Sequence, residues 1–451
     1  MLDLLQSING VINDFVWGIP GIFLVLMTGF FLTFKLGFMQ FQNLRFILKN
    51  TAFKVKEKDN QYVGIMGELM SFKAAMVSCS AMIGSGNIAG VATAVVLGGP
   101  GALFWMVLAA FIGMASKFSE IYLSMKYRKI ISEDNMNGGP MHYLSDRLGW
   151  KWIGTLYAVF TLFYAVVITA VVDSNTISLS LQEKFDIPTL YTGVFLSILT
   201  AVVIIGGVKS IGNVCKFIAP FMAFGYIATG LCVILLNINL LPGAIIYIVK
   251  AAFNPAAVTG GVIGSIFTCM RYGIARGIFS NDAGLGVAGI IHATAKTKNN
   301  VEQAFWGCAE VFLDTVMICF ISGLVIVLSG VWQNGLQGGA LAMSAYESLV
   351  PGGSVLCLIA LCFFGYSCII SFYVYVDKAG EYLFGNRYKL ALKMMWICMV
   401  FVGSQSTLGI VWDLADTVNG LMMIPNLIAL IILSNEVVSA KNEYFSNCKS
   451  N

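Results

Sequence analysis

Read for its alternation of apolar and polar positions, the chain resolves into apolar runs of about 20 residues, the length an α-helix needs to cross a bilayer. The runs fall at 15–34, 71–97, 102–124, 152–181, 191–208, 214–236, 258–295, 305–331, 355–383, 390–406 and 410–433. They predict an all-α polytopic membrane protein with about eleven transmembrane helices. Residues 1–14 alternate Leu and Ile with polar positions, which fits an amphipathic helix lying at the interface or a solvated tail.

Two runs are irregular. Gly84-Ser85-Gly86-Asn87 interrupts the first, and Ser280-Asn281-Asp282 interrupts the Gly-rich 258–295. Hydrocarbon offers no partner to a freed backbone N–H or C=O, so irregular backbone at that depth survives only where protein or a water-filled site satisfies it. Small residues also serve helix packing. The spacing Gly84-x-Gly86-x-x-Ala89 formally matches a dinucleotide fingerprint, but that motif follows a strand, and here both flanks are helical. Asn87 favours a site, because an amide beside two glycines is more polar than packing requires. Setting aside the first run leaves ten, two fives of opposite orientation, each opening on an interrupted span. Such a correspondence marks the midplane site of an inverted-repeat transporter.

The expected architecture is therefore a LeuT-type 5+5 inverted repeat with one additional N-terminal helix. Its parts are an interfacial segment and extra helix (1–34), a basic cytoplasmic loop (35–69), a first five-helix repeat (70–240), a second, inverted repeat (255–434) and a cytoplasmic tail (435–451).

Composition narrows the function. With 58% hydrophobic and 11% charged residues, against about a quarter charged in soluble proteins, the chain has no sizeable soluble domain to carry an activity. A net charge of +4 is not a nucleic-acid signature, since the basic residues sit between spans. Of 27 Lys and Arg, 22 fall on one side of the predicted alternation. The positive-inside rule then puts the N-terminus outside and the C-terminus in the cytoplasm. No Lys or Arg precedes the first span, so it lacks the n-region of a cleaved signal and is expected to stay.

The eleven cysteines show no CxxC pair. The two histidines, His142 and His292, fall near predicted loops or helix ends. Neither a disulfide framework, a zinc site nor a nucleophile–base pair is indicated, which argues against an enzyme and against any cofactor. A membrane channel or receptor is the alternative class, but no repeated pore loop suggests it.

The segments GSGNIAGVATAVVLGGPGALFW (84–105), KFSEIYLSMKYR (117–128), GGPMHY (138–143), RYGIARGIFSNDAGLGVAG (271–289), EVFLDT (310–315) and NGLMMIPNLIAL (419–430) give the chain a resemblance to the alanine or glycine:cation symporter family over essentially its whole length. The resemblance implies sodium-driven symport of small neutral amino acids by alternating access in a prokaryotic cytoplasmic membrane, by a monomeric carrier whose partners are amino acid, sodium and lipid. Carried over by similarity, the N–H groups of Ser85 and Gly86 face the substrate, with Asn87 as a ligand or as a cap of the break. The carbonyls of Ser80 and Ile83 then face sodium, together with Ser367 and Cys368.

Three positions depart from the family pattern. Asp173 stands in the third core helix where the family usually has Gln, Ser367-Cys368 replaces a Thr pair in the eighth, and Phe372 replaces Trp. Asp173, Cys368 and Phe372 are all expected at the substrate. A carboxylate inside the bilayer costs roughly 2.5–3.5 kcal/mol on insertion scales and usually faces a cavity and a cation. A thiol is a soft, weak sodium ligand. These departures leave open a carrier coupled to protons, or one for a polar, cationic or larger amine-containing substrate. Asp282 is expected to cap the second half of the second broken span. Glu120, Glu310 and Asp314 are expected to pair with Lys117, Arg271 or Arg276.

Overall fold

The computed structural model describes residues 2–51, 66–254, 266–406 and 409–450. Residues 258–265 of the expected second broken span lie outside them. The described chain is helical nearly throughout, with two minimal sheets: a parallel pair of Leu69–Met70 with Ala295–Lys296 and an antiparallel pair of Lys129–Ser132 with Asn135–Asn137.

Two longer helices, Leu2–Val16 and Ile19–Lys35, and two short ones, Met39–Gln42 and Leu44–Asn50, precede the core. The core helices are labelled here in chain order. Helix α1 is split into Ser71–Met82 and Ala89–Gly98, α2 is Ala102–Lys126 and α3 is Lys151–Phe185. Helix α4 is Thr189–Ile205 and α5 is Gly207–Leu236. Helix α6 is split into Ile266–Asn281 and Val287–His292, and α7 is Asn300–Ser329. Helices α8, α9 and α10 are Gly353–Phe384, Lys389–Gln405 and Gly409–Ile432. A tail helix, Ser434–Ser450, ends the described chain.

Among the described residues, six helical stretches, Asn9–Lys35, α2, α3, α5, α7 and α8, are individually long and apolar enough to cross a membrane, or up to seven if the bent stretch from Asp416 to Cys448 counts as one. Neither half of the broken α1 reaches that length.

Packing divides the helices into two groups. Helix α2 lies against both α6 and α7, while α4 packs on α9 and both α8 and α9 pack on α3. The first half of α1 is held between α5 and α8. The short parallel pair joins the segment entering α1 to the segment leaving α6. The outward face of α5 shows why the composition is so apolar: Phe217, Phe221 and Phe224, spaced by one helical turn, are each more than two-thirds exposed. On a protein surrounded by lipid tails, such a ridge faces hydrocarbon.

Candidate substrate site

The two breaks are built differently. In α1 the chain leaves the helix at Ile83, runs extended through Gly84 and makes a single 3-10 turn, Ser85–Asn87, before helix resumes at Ala89. Asn87 closes this break. Its Oδ1 accepts the Gly84 N–H at 2.9 Å, and its Nδ2 donates to Asp314 of α7 at 2.6 Å. Asp314 also accepts the Ser280 hydroxyl of α6 at 2.8 Å, so one carboxylate ties the break of α1 to α6 and α7.

In α6 the chain turns at Asp282, whose φ of 54° is left-handed. Gly286, at φ 88°, then starts the second half. A side chain at Gly286 would be strained there, and its Cβ would lie 2.3 Å from the Pro140 ring. Helix α2 supplies the charges this break requires. The Lys117 ammonium donates to the Asn281 carbonyl at 2.7 Å, and Glu120 accepts the N–H groups of Gly284 and Gly286, both at 3.1 Å. A cation thus meets the carbonyl end of one half-helix and an anion the N–H end of the other, each matched to the local helix dipole. Both side chains are fully buried.

These contacts replace the expected acid–base pairs. Glu120 caps backbone, Asp314 takes Asn87 and Ser280, and Glu310 pairs with His292 at 2.9 Å and accepts Ser78 at 2.9 Å. Arg271 reaches Asp14 and Arg276 makes a two-point pair with Asp416 at 2.8 and 3.1 Å. The expectation failed for Glu120 because it lies level with the α6 break, where the N–H groups of Gly284 and Gly286 are within reach, and for Glu310 because His292 and Ser78 take its two oxygens. The histidines lie at helix ends, as expected: His142 closes the short helix Pro140–His142 and His292 closes Val287–His292. His142 and His292 are both buried.

Between the breaks lies a cavity of about 20 Å³. Ser85, Gly86, Asp173, Cys368 and Phe372 line it, so five of the six residues expected at the substrate converge from α1, α3 and α8. Asn87 is not on its wall and acts as the cap of the break. Asp173 is 4% exposed and accepts the Ser85 hydroxyl. Asp282 lies on the wall as a second carboxylate, accepting the Tyr164 hydroxyl at 2.6 Å, and the cap role expected of it falls to Glu120 and Gly286.

Beside the cavity, Ser367 donates to the Ser80 carbonyl at 3.3 Å and Cys368 donates to the Ala81 carbonyl at 2.9 Å. The Ser80 hydroxyl is buried with no partner among the described residues. Carbonyl and hydroxyl oxygens of this kind suit a hard cation. Ile83 is buried at the bend itself, its N–H bonded to the Cys79 carbonyl at 2.8 Å. No group of three or more His, Cys, Asp or Glu side chains is placed to hold a metal ion among the described residues.

Tyr164, Thr169 and Phe279 also line the cavity and were not expected there. Tyr164 and Asp173 are nine residues apart, two and a half turns of an ordinary α-helix and hence opposite faces. The chain between them, Ala165–Asp173, is wound as a π-helix, and the wider winding brings both to one face.

Among solved structures, MhsT in complex with L-phenylalanine matches this fold with a TM-score of 0.59 at 13% identity, over 82% of this chain and 90% of that one. The fold is thus the LeuT fold. The profile of the sodium:alanine symporter family matches residues 2–451. The sodium/alanine symporter AgcS of Methanococcus maripaludis is 40% identical over 458 residues, covering 100% of this chain and 99% of its own. The amino-acid carrier protein AlsT of Bacillus subtilis is 34% identical over 452 residues, covering 98% and 93%. This chain belongs to the sodium:alanine symporter family, and cation-coupled amino-acid symport is the activity that membership supports.

Proposed function

We propose that the protein imports a small amino acid together with sodium by alternating access, in a prokaryotic cytoplasmic membrane with its N-terminus outside. The observation that carries this reading is the convergence of both helix breaks on one small cavity whose wall holds two carboxylates, Asp173 and Asp282. Half-helix ends supply N–H groups and carbonyls without a bulky side chain, which suits a substrate and a cation at the same depth. A cavity of about 20 Å³ holds little more than one water, so the cargo is small and the walls part to admit it.

In this reading Ser85 and Gly86 meet the cargo, Asp173 and Asp282 face its ammonium, and Phe372 closes the aromatic side. Sodium sits at the oxygens of Ser80, Ile83 and Ser367, beside Cys368. The group of α1, α2, α6 and α7 rocks against α3, α4, α8 and α9, with the two five-helix halves related as inverted repeats. The test is uptake of labelled alanine and glycine into proteoliposomes under an inward sodium gradient, an inward proton gradient and neither. Uptake driven by sodium alone is the expected result; uptake driven only by protons would move the coupling to another ion.

A further inference from the structure

We infer that the site also takes small primary ammonium cations bearing no carboxylate, with the side chain of Asp173 standing in for the carboxylate an amino acid brings. This rests on the symport reading and extends it to a second cargo class.

The argument starts from where Asp173 lies. Its carboxylate accepts the Ser85 hydroxyl at the entry to the second half of α1. A Cβ built on Gly84 would be 3.8 Å from its Oδ2. The protein's own carboxylate therefore already takes a donor at the break, and a cargo carboxylate competes with it there, whereas a cargo without one does not.

The rest of the cavity is organised for a cation. Asp173 and Asp282 both line it, and no Lys, Arg or His does among the described residues. The cations nearby in the fold are engaged elsewhere, Lys117 by the Asn281 carbonyl and Arg276 by Asp416. Thr169, one turn before Asp173 on α3, is fully buried and lines the cavity, and its hydroxyl has no partner among the described residues. Two carboxylates and this hydroxyl offer three acceptors, the number of N–H donors on a primary ammonium. The rings of Tyr164 and Phe372, 5.6 Å apart between centroids, stand beside them, and aromatic faces attract ammonium groups. An amine is also smaller than the parent amino acid by the whole carboxylate, which suits so small a cavity.

Ethylamine is alanine with its carboxylate replaced by hydrogen, so the pair isolates the group in question. The experiment measures binding of each to the purified full-length protein in sodium buffer by calorimetry, for wild type and for Asp173→Gln, with sodium-driven alanine uptake run in parallel. The expected result is at least tenfold tighter binding of ethylamine than of alanine to wild type, and a reversed preference in the variant. The wild-type comparison stands even if the variant does not fold. If wild type binds alanine as tightly as ethylamine, or tighter, the inference fails, and sodium-driven alanine uptake would leave the symport reading intact. If neither compound binds and no gradient drives alanine uptake, both fail.

Discussion

Gly84→Ala measures how closely the break of α1 is packed against α8. Gly84 has φ −125°, which any residue adopts, so the effect comes from the added methyl and not from backbone strain. That methyl would lie 2.6 Å from Cys368 Sγ and 3.6 Å from its Cβ, whereas ordinary non-bonded contact begins at about 3.5 Å. The missing distance of about 1 Å has to come from a thiol that is 4% exposed and tied to the Ala81 carbonyl.

Overpacking of this kind costs about 1–3 kcal/mol, a factor of roughly 5 to 150 in the equilibrium it opposes. Cys368→Ala leaves only the Cβ, at an ordinary contact distance. The assay is a double-mutant cycle of Gly84→Ala and Cys368→Ala, read as thermal stability in detergent and as apparent substrate affinity. Gly84→Ala should be the most damaged of the three variants, and the double variant should recover a coupling of about 1–3 kcal/mol. Additive effects, within about 0.5 kcal/mol, would refute the contact.

Asn87→Ala removes the group that satisfies the Gly84 N–H and one oxygen of Asp314. Each buried group left unpaired costs about 1–3 kcal/mol, so the variant should melt at lower temperature and lose uptake. Unchanged melting would show that the break is not held by Asn87. Glu347 probes the protein outside the membrane. The Ser354 hydroxyl, the Ser354 N–H and the Gly352 N–H hold its carboxyl down to about 2, from an ordinary 4.5. A depressed folded value means its contribution is present above about pH 4.5 and is lost as pH falls through about 2. Pepsin cleavage near 350–356 should therefore rise across that window in wild type and already be high at its upper end in Glu347→Gln; identical cleavage profiles would refute the cap.

Much of this molecule was legible in its sequence, for identifiable reasons. Membrane spans are readable because the bilayer imposes one length and one polarity on each. The broken spans are readable because Gly84-Ser85-Gly86-Asn87 contradicts that rule locally. Asp173 announced itself as a carboxylate where hydrocarbon tolerates none, and Ser85, Cys368 and Phe372 do meet it in one cavity.

Which groups face one another was decided only by the tertiary structure. The roles of Glu120 and Lys117 depend on α2 passing the break of α6, and a sequence contains no distance between two helices. Tyr164 reached the cavity because the π-wound stretch Ala165–Asp173 changes the period on which face assignments rest. Asn87 took the capping one of its two expected roles and Asp282 left the cap for the cavity wall, for the same kind of reason: a short polar side chain at a break either closes its own backbone or points into the cavity. Local sequence permits both, and the choice falls to whichever neighbour, Asp314 for one and Tyr164 for the other, the packed helices bring within hydrogen-bond reach.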